Sequence, residues 1–296
     1  MNNIKKYLLI VTLFVFNTSV GFSQQLIQET VGPQKGSLLI VGGGKVGPEI
    51  WARFIELAGG ASANIVIIPT AGDDATINTG RSKEKETLAS LGVKFITVLH
   101  TRDPKIANTE NFVAPLRKAT GIWFVGGRQW KLADAYLNTL AHREFEFLLA
   151  RDGVIAGTSA GATIQGSFLL RGDTKGNTIL IGDHVQGLDF IHHVAIDQHI
   201  LKRNRQFDLI EVIKARPELL GIGIDESTAI LVQQNKFKVL GSSYVAVYKH
   251  DDVNGNVPFI FLHSGQQYDL KFRQLLKETS TASSLSSNRS NYHNSQ

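Results

Sequence analysis

The chain contains no cysteine. That absence excludes disulfides, thiolate metal sites and a cysteine nucleophile, so a bound metal would have to rest on histidines and carboxylates. A dense Lys/Arg stripe with interleaved aromatics is also missing, which argues against a nucleic-acid surface. Charged residues make up 19% of the chain and the net charge is +5, with two of those positive charges on Lys5 and Lys6. No apolar run reaches the ~20 residues a membrane-spanning helix needs, and no internal repeat is visible. What is present is 43% hydrophobic residues over 296 positions. That is enough for a sizeable core and unlike a disordered or collagen-like polymer. At roughly 100–200 residues per domain, one large or two small domains fit, and an α/β domain can fill the length alone.

The two ends differ from the middle. Lys5 and Lys6 precede the apolar run Tyr7 to Phe16, and small polar residues follow to Ser23. A charged start, a short apolar stretch and a small residue before the scission point define a secretory leader. Residues 1–23 are therefore expected to be a signal peptide cleaved near Ser23, and 24–36 a linker. An uncleaved anchor or a buried N-terminal helix is the alternative. The mature protein is expected to be exported, periplasmic or extracellular, with no membrane attachment once the leader is gone. Residues 279–296 are dominated by Ser, Asn and Thr and cannot offset their ordering entropy, so a disordered tail is expected there.

Between the ends, 37–278 reads as one α/β domain. Strands are expected at Leu38 to Val41, Asn64 to Ile68, Val93 to Leu99, Gly121 to Val125 and Val154 to Ala156. Helices are expected at Pro48 to Ala58, Lys83 to Leu91, Phe112 to Lys118, Gln129 to Leu140 and His142 to Arg151. Continuous apolar strands alternating with helices imply a mostly parallel sheet covered on both faces, a three-layer α/β/α sandwich. After Gly221 the pattern turns β-rich, with successive antiparallel strands at Ala229 to Val232, Phe237 to Leu240, Tyr244 to Tyr248 and Phe259 to Leu262.

Gly42-Gly43-Gly44-Lys45-Val46-Gly47 matches G-x-G-x-x-G between a strand and a helix. A dinucleotide site also needs an acid at the end of the second strand. Here that strand ends in Pro69-Thr70, and Asp73 and Asp74 lie beyond it. The run reads as a tight turn in which only glycine allows close backbone approach.

The most informative stretch is Val154 to Ala162, a buried strand running through Gly157-Thr158-Ser159-Ala160-Gly161 into a helix. This is the form of a nucleophile elbow, whose sharp turn presents the serine at the carboxyl edge of the sheet. A plain serine N-cap is the alternative. A serine needs a base, and among nine histidines His199, in Asp197-Gln198-His199, sits at a strand-to-helix junction. The position favours it without excluding the others. A third, acidic member could be either carboxylate of Asp225-Glu226, with the other bonding the turn backbone. The order Ser, His, acid differs from that of α/β-hydrolases.

Four segments together resemble the cyanophycinase-type serine peptidases, whose relatives include aspartyl dipeptidases. They are Phe124-Val125-Gly126-Gly127-Arg128-Gln129, Gly157 to Ala162, Asp197-Gln198-His199 with Arg203 and Arg205, and Gly221 to Glu226. The likeness runs from about Gly36 to about His263. It implies a glutaminase-like α/β/α fold and a catalytic set of Ser159, His199 and Glu226. It also implies an oxyanion site at the Gly127 and Ala160 amides, with Gln129, Asp197, Gln198, Arg203 and Arg205 binding substrate. No metal or cofactor is implied, and a homodimer is suggested. The implied substrate is cyanophycin, a poly-aspartate carrying arginine in isopeptide linkage, cut to β-Asp-Arg dipeptides. One departure matters: where the pattern has a further arginine, this chain has Asp208, and a carboxylate there would repel an acidic backbone. Short aspartyl or isoaspartyl dipeptides are therefore the second reading, a catalytically silent binding protein the third, and a nucleotide enzyme the fourth.

Overall fold

A computed structural model describes residues 30–277. The expected leader at 1–23, residues 24–29 of the expected linker and the Ser/Asn-rich tail at 279–296 lie outside the described residues. Among the described residues, no helix is long and apolar enough to cross a membrane.

The parallel centre is built from β1 (Ser37–Val41), β2 (Asn64–Ile68), β3 (Phe95–Val98), β4 (Gly121–Phe124) and β5 (Val154–Thr158), in the spatial order β3-β2-β4-β5-β1. Every residue of β1 is buried, as a strand covered on both faces requires. Alternation along the strands sends side chains to opposite layers. Leu39, Val41, Ile65, Ile67 and Trp123 pack under the helix Pro48–Leu57 and Leu88, with Trp51 stacked on Trp123 at 4.1 Å. Leu38, Ile40, Ile68 and Phe124 face the helices Glu110–Lys118, Gln129–Tyr136 and Leu140–Ala150.

The strand at Val93 to Leu99 is shorter than expected. It is an edge strand whose outer residues Phe95 and Val98 are exposed. The helix starting at Gln129 also ends earlier, at Tyr136. Asn138 takes φ +59°, and Thr139 becomes an N-cap whose hydroxyl accepts the His142 N–H at 3.3 Å, so Leu140 opens the following helix instead of closing this one.

The C-terminal strands do not form one meander. β6 (Gly166–Phe168), β7 (Ile191–Gln198) and β8 (Leu220–Ile224) begin a second sheet, and the chain then crosses to the first. There β9 (Thr228–Gln233) lies antiparallel to β1 and pairs with β10 (Lys236–Gly241). At Gly241, φ +104°, the chain turns back to add β11 (Val245–Tyr248) and β12 (Ile260–Leu262) to the small sheet, while β13 (Gln267–Asp269) and β14 (Gln274–Leu275) extend the large one. The large sheet runs β14-β13-β10-β9-β1-β5-β4-β2-β3 and the small one β12-β11-β8-β7-β6. Ile191, Val194, Ile196, Ile222 and Ile224 of the small sheet share the core of Leu38 and Ile40. The crossing from β8 to β9 consists of Asp225, Glu226 and Ser227, so those three residues join the two sheets beside the end of β1.

Candidate active site

The turn after β5 is as sharp as the sequence pattern requires. Ser159 has φ +55° and ψ −113°, a conformation that costs a residue with a Cβ of order 1–3 kcal/mol. A side chain at Gly157 would run into the Gly161 carbonyl, and one at Gly161 into the Phe124 carbonyl. Both glycines are therefore set by close backbone packing around the serine. The carbonyl of Ser159 accepts the N–H groups of Ala162 and Thr163 at 2.9 and 3.0 Å, which opens the short helix Ala160–Thr163.

Ser159 Oγ lies 2.9 Å from His199 Nε2, and His199 Nδ1 lies 2.7 Å from Glu226 Oε1. A carboxylate only accepts, so the Nδ1–H donates to Glu226 and the Nε2 lone pair is left to take the serine proton. Burial lowers the pKa of His199, and the positive charges of Arg203 and Arg205 push the same way, against the opposing pull of Glu226. Both effects favour the neutral imidazole that a base requires. The neighbouring acid serves the backbone. Asp225 Oδ1 accepts the Leu201 and Lys202 N–H groups at 3.0 Å each, and Oδ2 accepts the Ser243 hydroxyl at 2.7 Å. Asp225 thus ties down the turn behind His199 while Glu226 meets the ring. Six of the other histidines are engaged elsewhere: His100 with Thr70, His142 with the Leu188 carbonyl, His184 with Asp183 and Asp134, His192 with Asp189, His250 with the Ile213 carbonyl and His263 with the Ser264 carbonyl.

Gly127 sits in the loop after β4 with φ +143°, and a side chain there would overlap the Ala71 carbonyl. That carbonyl accepts the Arg128 N–H at 2.8 Å. Among the described residues, the Gly127 and Ala160 N–H groups take no part in loop or cap hydrogen bonds within the chain. Gly126 packs against Ser159: a Cβ on it would stand 3.2 Å from the serine Cβ. A cleft of about 860 Å³ opens beside Gly126 and Gly127 under the segment from Gly72 to Glu86.

The expected substrate-binding residues divide into two groups. Arg203 is exposed and acts electrostatically on His199. Gln198 and Arg205 are buried together, Arg205 Nη1 standing 3.3 Å from Gln198 Oε1. The other two are engaged within the chain. Arg171 grips the Asp197 carboxylate, which has no exposed surface, with Nε at 2.9 Å and Nη2 at 2.8 Å. Gln129 is buried and its amide nitrogen is committed to the Leu170 carbonyl at 2.7 Å. Asp208, expected to repel acidic substrates, accepts a hydrogen bond from the same Arg171 at 2.6 Å. Arg171 is the residue that sequence reasoning missed. It ends the apolar run Phe168-Leu169-Leu170, and a lone arginine after such a run carries no signal of its partners.

The chain is similar to known peptidases in sequence and in fold. Residues 38–240 match Peptidase family S51. The chain is 34% identical to the cyanophycinase of Geminocystis herdmanii over 221 residues, covering 72% of this chain and 80% of that protein. It is 33% identical to the cyanophycinase of a Nostoc species over 233 residues, covering 76% and 77%. Among solved structures, a peptidase from an acI-B1 Actinobacterium superposes with a TM-score of 0.63 at 23% identity, covering 80% of this chain and 98% of that one. A putative peptidase E protein from Listeria monocytogenes superposes at 0.50 and 20% identity, covering 70% and 99%. With a family match spanning β1 to β10 and relatives matched over most of their length, this chain belongs to Peptidase family S51 and is a serine-type peptidase.

Proposed function

We propose that the protein hydrolyses cyanophycin to β-Asp-Arg dipeptides through an acyl-enzyme on Ser159. The observation that carries the reading is the continuous line from Ser159 Oγ through the His199 imidazole to Glu226, at 2.9 and 2.7 Å, in a chain related to cyanophycinases. Ser159 attacks the carbonyl carbon of the scissile peptide as its proton passes to His199 Nε2, and Glu226 stabilises the imidazolium that forms. The Gly127 and Ala160 amides hold the oxyanion; losing one such donor typically costs about 100–1,000-fold in kcat. His199 returns its proton to the leaving amine, and a water molecule repeats the sequence on the ester, releasing the product carboxylate and restoring the serine.

The electrostatics support a polymer of carboxylates and guanidinium groups. Asp208 does not stand as a bare negative charge, because Arg171 neutralises it. With Arg205 Nη1 4.0 Å from Asp197, the cluster of Arg171, Arg205, Asp197 and Asp208 balances two cations against two anions. Exposed Arg203 is left to meet substrate carboxylates. Export through the leader at 1–23 belongs to the same proposal and is checked by sequencing the N-terminus of the secreted protein.

The test is mass spectrometry of cyanophycin incubated with purified protein. The expected product is the β-Asp-Arg dipeptide, absent with Ser159→Ala of unchanged circular dichroism. Turnover of Asp-X or β-Asp-X dipeptides without release from the polymer would establish the dipeptidase reading instead. No product from any of these substrates would overturn both.

A further inference from the structure

The end of β1 and the glycine run after it, Val41 to Gly44, have no part in the chemistry just described, yet together they touch all three members of the site. Three consecutive carbonyls accept three backbone N–H groups: Val41 from Ser159 at 3.0 Å, Gly42 from His199 at 3.0 Å and Gly43 from Ser227 at 2.9 Å. The three donors come from the ends of three different strands, and each has the same unusual backbone, with φ of +55°, +56° and +55°. The Gly42 N–H closes the set by donating to the Thr228 carbonyl at 2.9 Å.

The side chains meet the same segment. Gly43 has φ +118°, and a Cβ built there would clash with the edge of the His199 ring, 2.2 Å from Cε1 and 2.7 Å from each nitrogen. Gly44 has φ +69°, and a Cβ there would lie 2.6 Å from Glu226 Oε2. A Cβ at Gly42 would overlap the Ile224 and Asp225 carbonyls. The imidazole and the carboxylate therefore rest directly on bare backbone.

We infer that Val41–Gly44 is the positioning element of the active site. Its carbonyls set the spacing of Ser159, His199 and Glu226, and Gly43 and Gly44 are positioning residues that define where the imidazole and the carboxylate lie. The inference rests on the reading of Ser159, His199 and Glu226 as the catalytic set. Its physical basis is that catalytic geometry tolerates little displacement, a shift of about 1 Å costing on the order of 100-fold in rate. Gly47, four positions beyond Gly43, has an ordinary φ of −67°, and a methyl added there would have no neighbour closer than 3.7 Å. It serves as the control.

Gly43→Ala is expected to lower kcat by about 100-fold with KM within threefold of wild type. It should also slow labelling of Ser159 by a fluorophosphonate in proportion. Gly44→Ala is expected to weaken the Glu226 contact and so move the acidic midpoint of the labelling rate to lower pH, a change that a general loss of stability does not produce. Gly47→Ala should leave rate and midpoint unchanged. Should Gly43→Ala fold poorly, its destabilisation is measured again in a His199→Ala background, where the methyl has the room the ring vacated. The melting-temperature penalty should shrink, leaving only the part due to the backbone at φ +118°. Wild-type kcat, labelling and pH midpoint in both glycine variants would overturn the inference, as would equal penalties with and without His199. If wild-type Ser159 does not label at all, the catalytic reading fails, while the stability coupling between positions 43 and 199 still reports on the geometry.

Discussion

Arg171 holds Asp197 and Asp208 at once, with its Nη2 2.8 Å from one carboxylate and 2.6 Å from the other. Asp197 is fully buried two residues before His199, whereas the Asp208 side chain is about one-third exposed. The two contacts differ in consequence for that reason. Arg171→Met should cost about 3–5 kcal/mol, because it strands a buried carboxylate. Asp208→Asn should cost less than about 1 kcal/mol, as expected of a partly exposed ion pair. Urea unfolding of both variants decides; similar losses would show that burial does not separate the two contacts. On the proposed substrate, Asp208→Asn should lower KM, since it leaves the Arg171 charge less offset beside an acidic chain.

The pH dependence has a definite sign. His199 works as a base only when neutral, and its folded-state pKa lies below the ordinary 6.5, chiefly through burial. The acidic limb of kcat/KM should therefore have its midpoint below 6.5. Glu226 raises the imidazole pKa, so Glu226→Gln should move the midpoint lower still while kcat falls. Arg203 lowers it, so Arg203→Ala should move the midpoint up, by a small amount because this side chain is exposed and solvent screens it. Rates measured from about pH 4 to about pH 9 check all three directions. A wild-type midpoint above 6.5 would refute the account of burial.

Behind the Gly127 amide stands Arg102, far from Ser159 in the chain. Its guanidinium donates to the Thr70 carbonyl and, at 2.8 Å, to the Gly72 carbonyl, and it pairs with Asp74. These bonds bracket Ala71, the residue whose carbonyl accepts Arg128 N–H and abuts Gly127. Arg102→Met should loosen that support and lower kcat roughly tenfold, less than outright loss of an oxyanion donor, with KM nearly unchanged. A rise in KM at constant kcat would instead place Arg102 in substrate binding.

The local chemistry of this fold is legible from neighbouring residues. The elbow is written in Gly157, Ser159 and Gly161 because the sharp turn that needs them is made by adjacent residues, a Cβ at Gly157 meeting the Gly161 carbonyl four positions on. Pro48 begins its helix at the position a proline without an N–H favours. The unpatterned features are those whose causes lie far away in sequence. Leu140 belongs to the second helix because Thr139 can cap it, a competition that apolar periodicity does not register. The C-terminal strands read as a plain antiparallel succession because only short turns separate them, and nothing local to Ala229 or Tyr244 says which sheet will receive it.

The amino-acid order alone determined the parallel α/β centre, the serine in the turn after β5 and the set of groups able to serve it, since each depends on periodicity or on turn geometry over a few adjacent residues. Only the tertiary structure decided that His199, 40 positions from Ser159, and Glu226, a further 27 on, are the imidazole and carboxylate that meet it. It alone assigned Asp225 to the turn, turned Asp197 inward onto Arg171 and seated the ring on Gly43. The physical reason is that these contacts form where β5, β7 and the crossing from β8 to β9 converge on the carbonyls that end β1, and such convergence is a property of how strands pair across the whole chain.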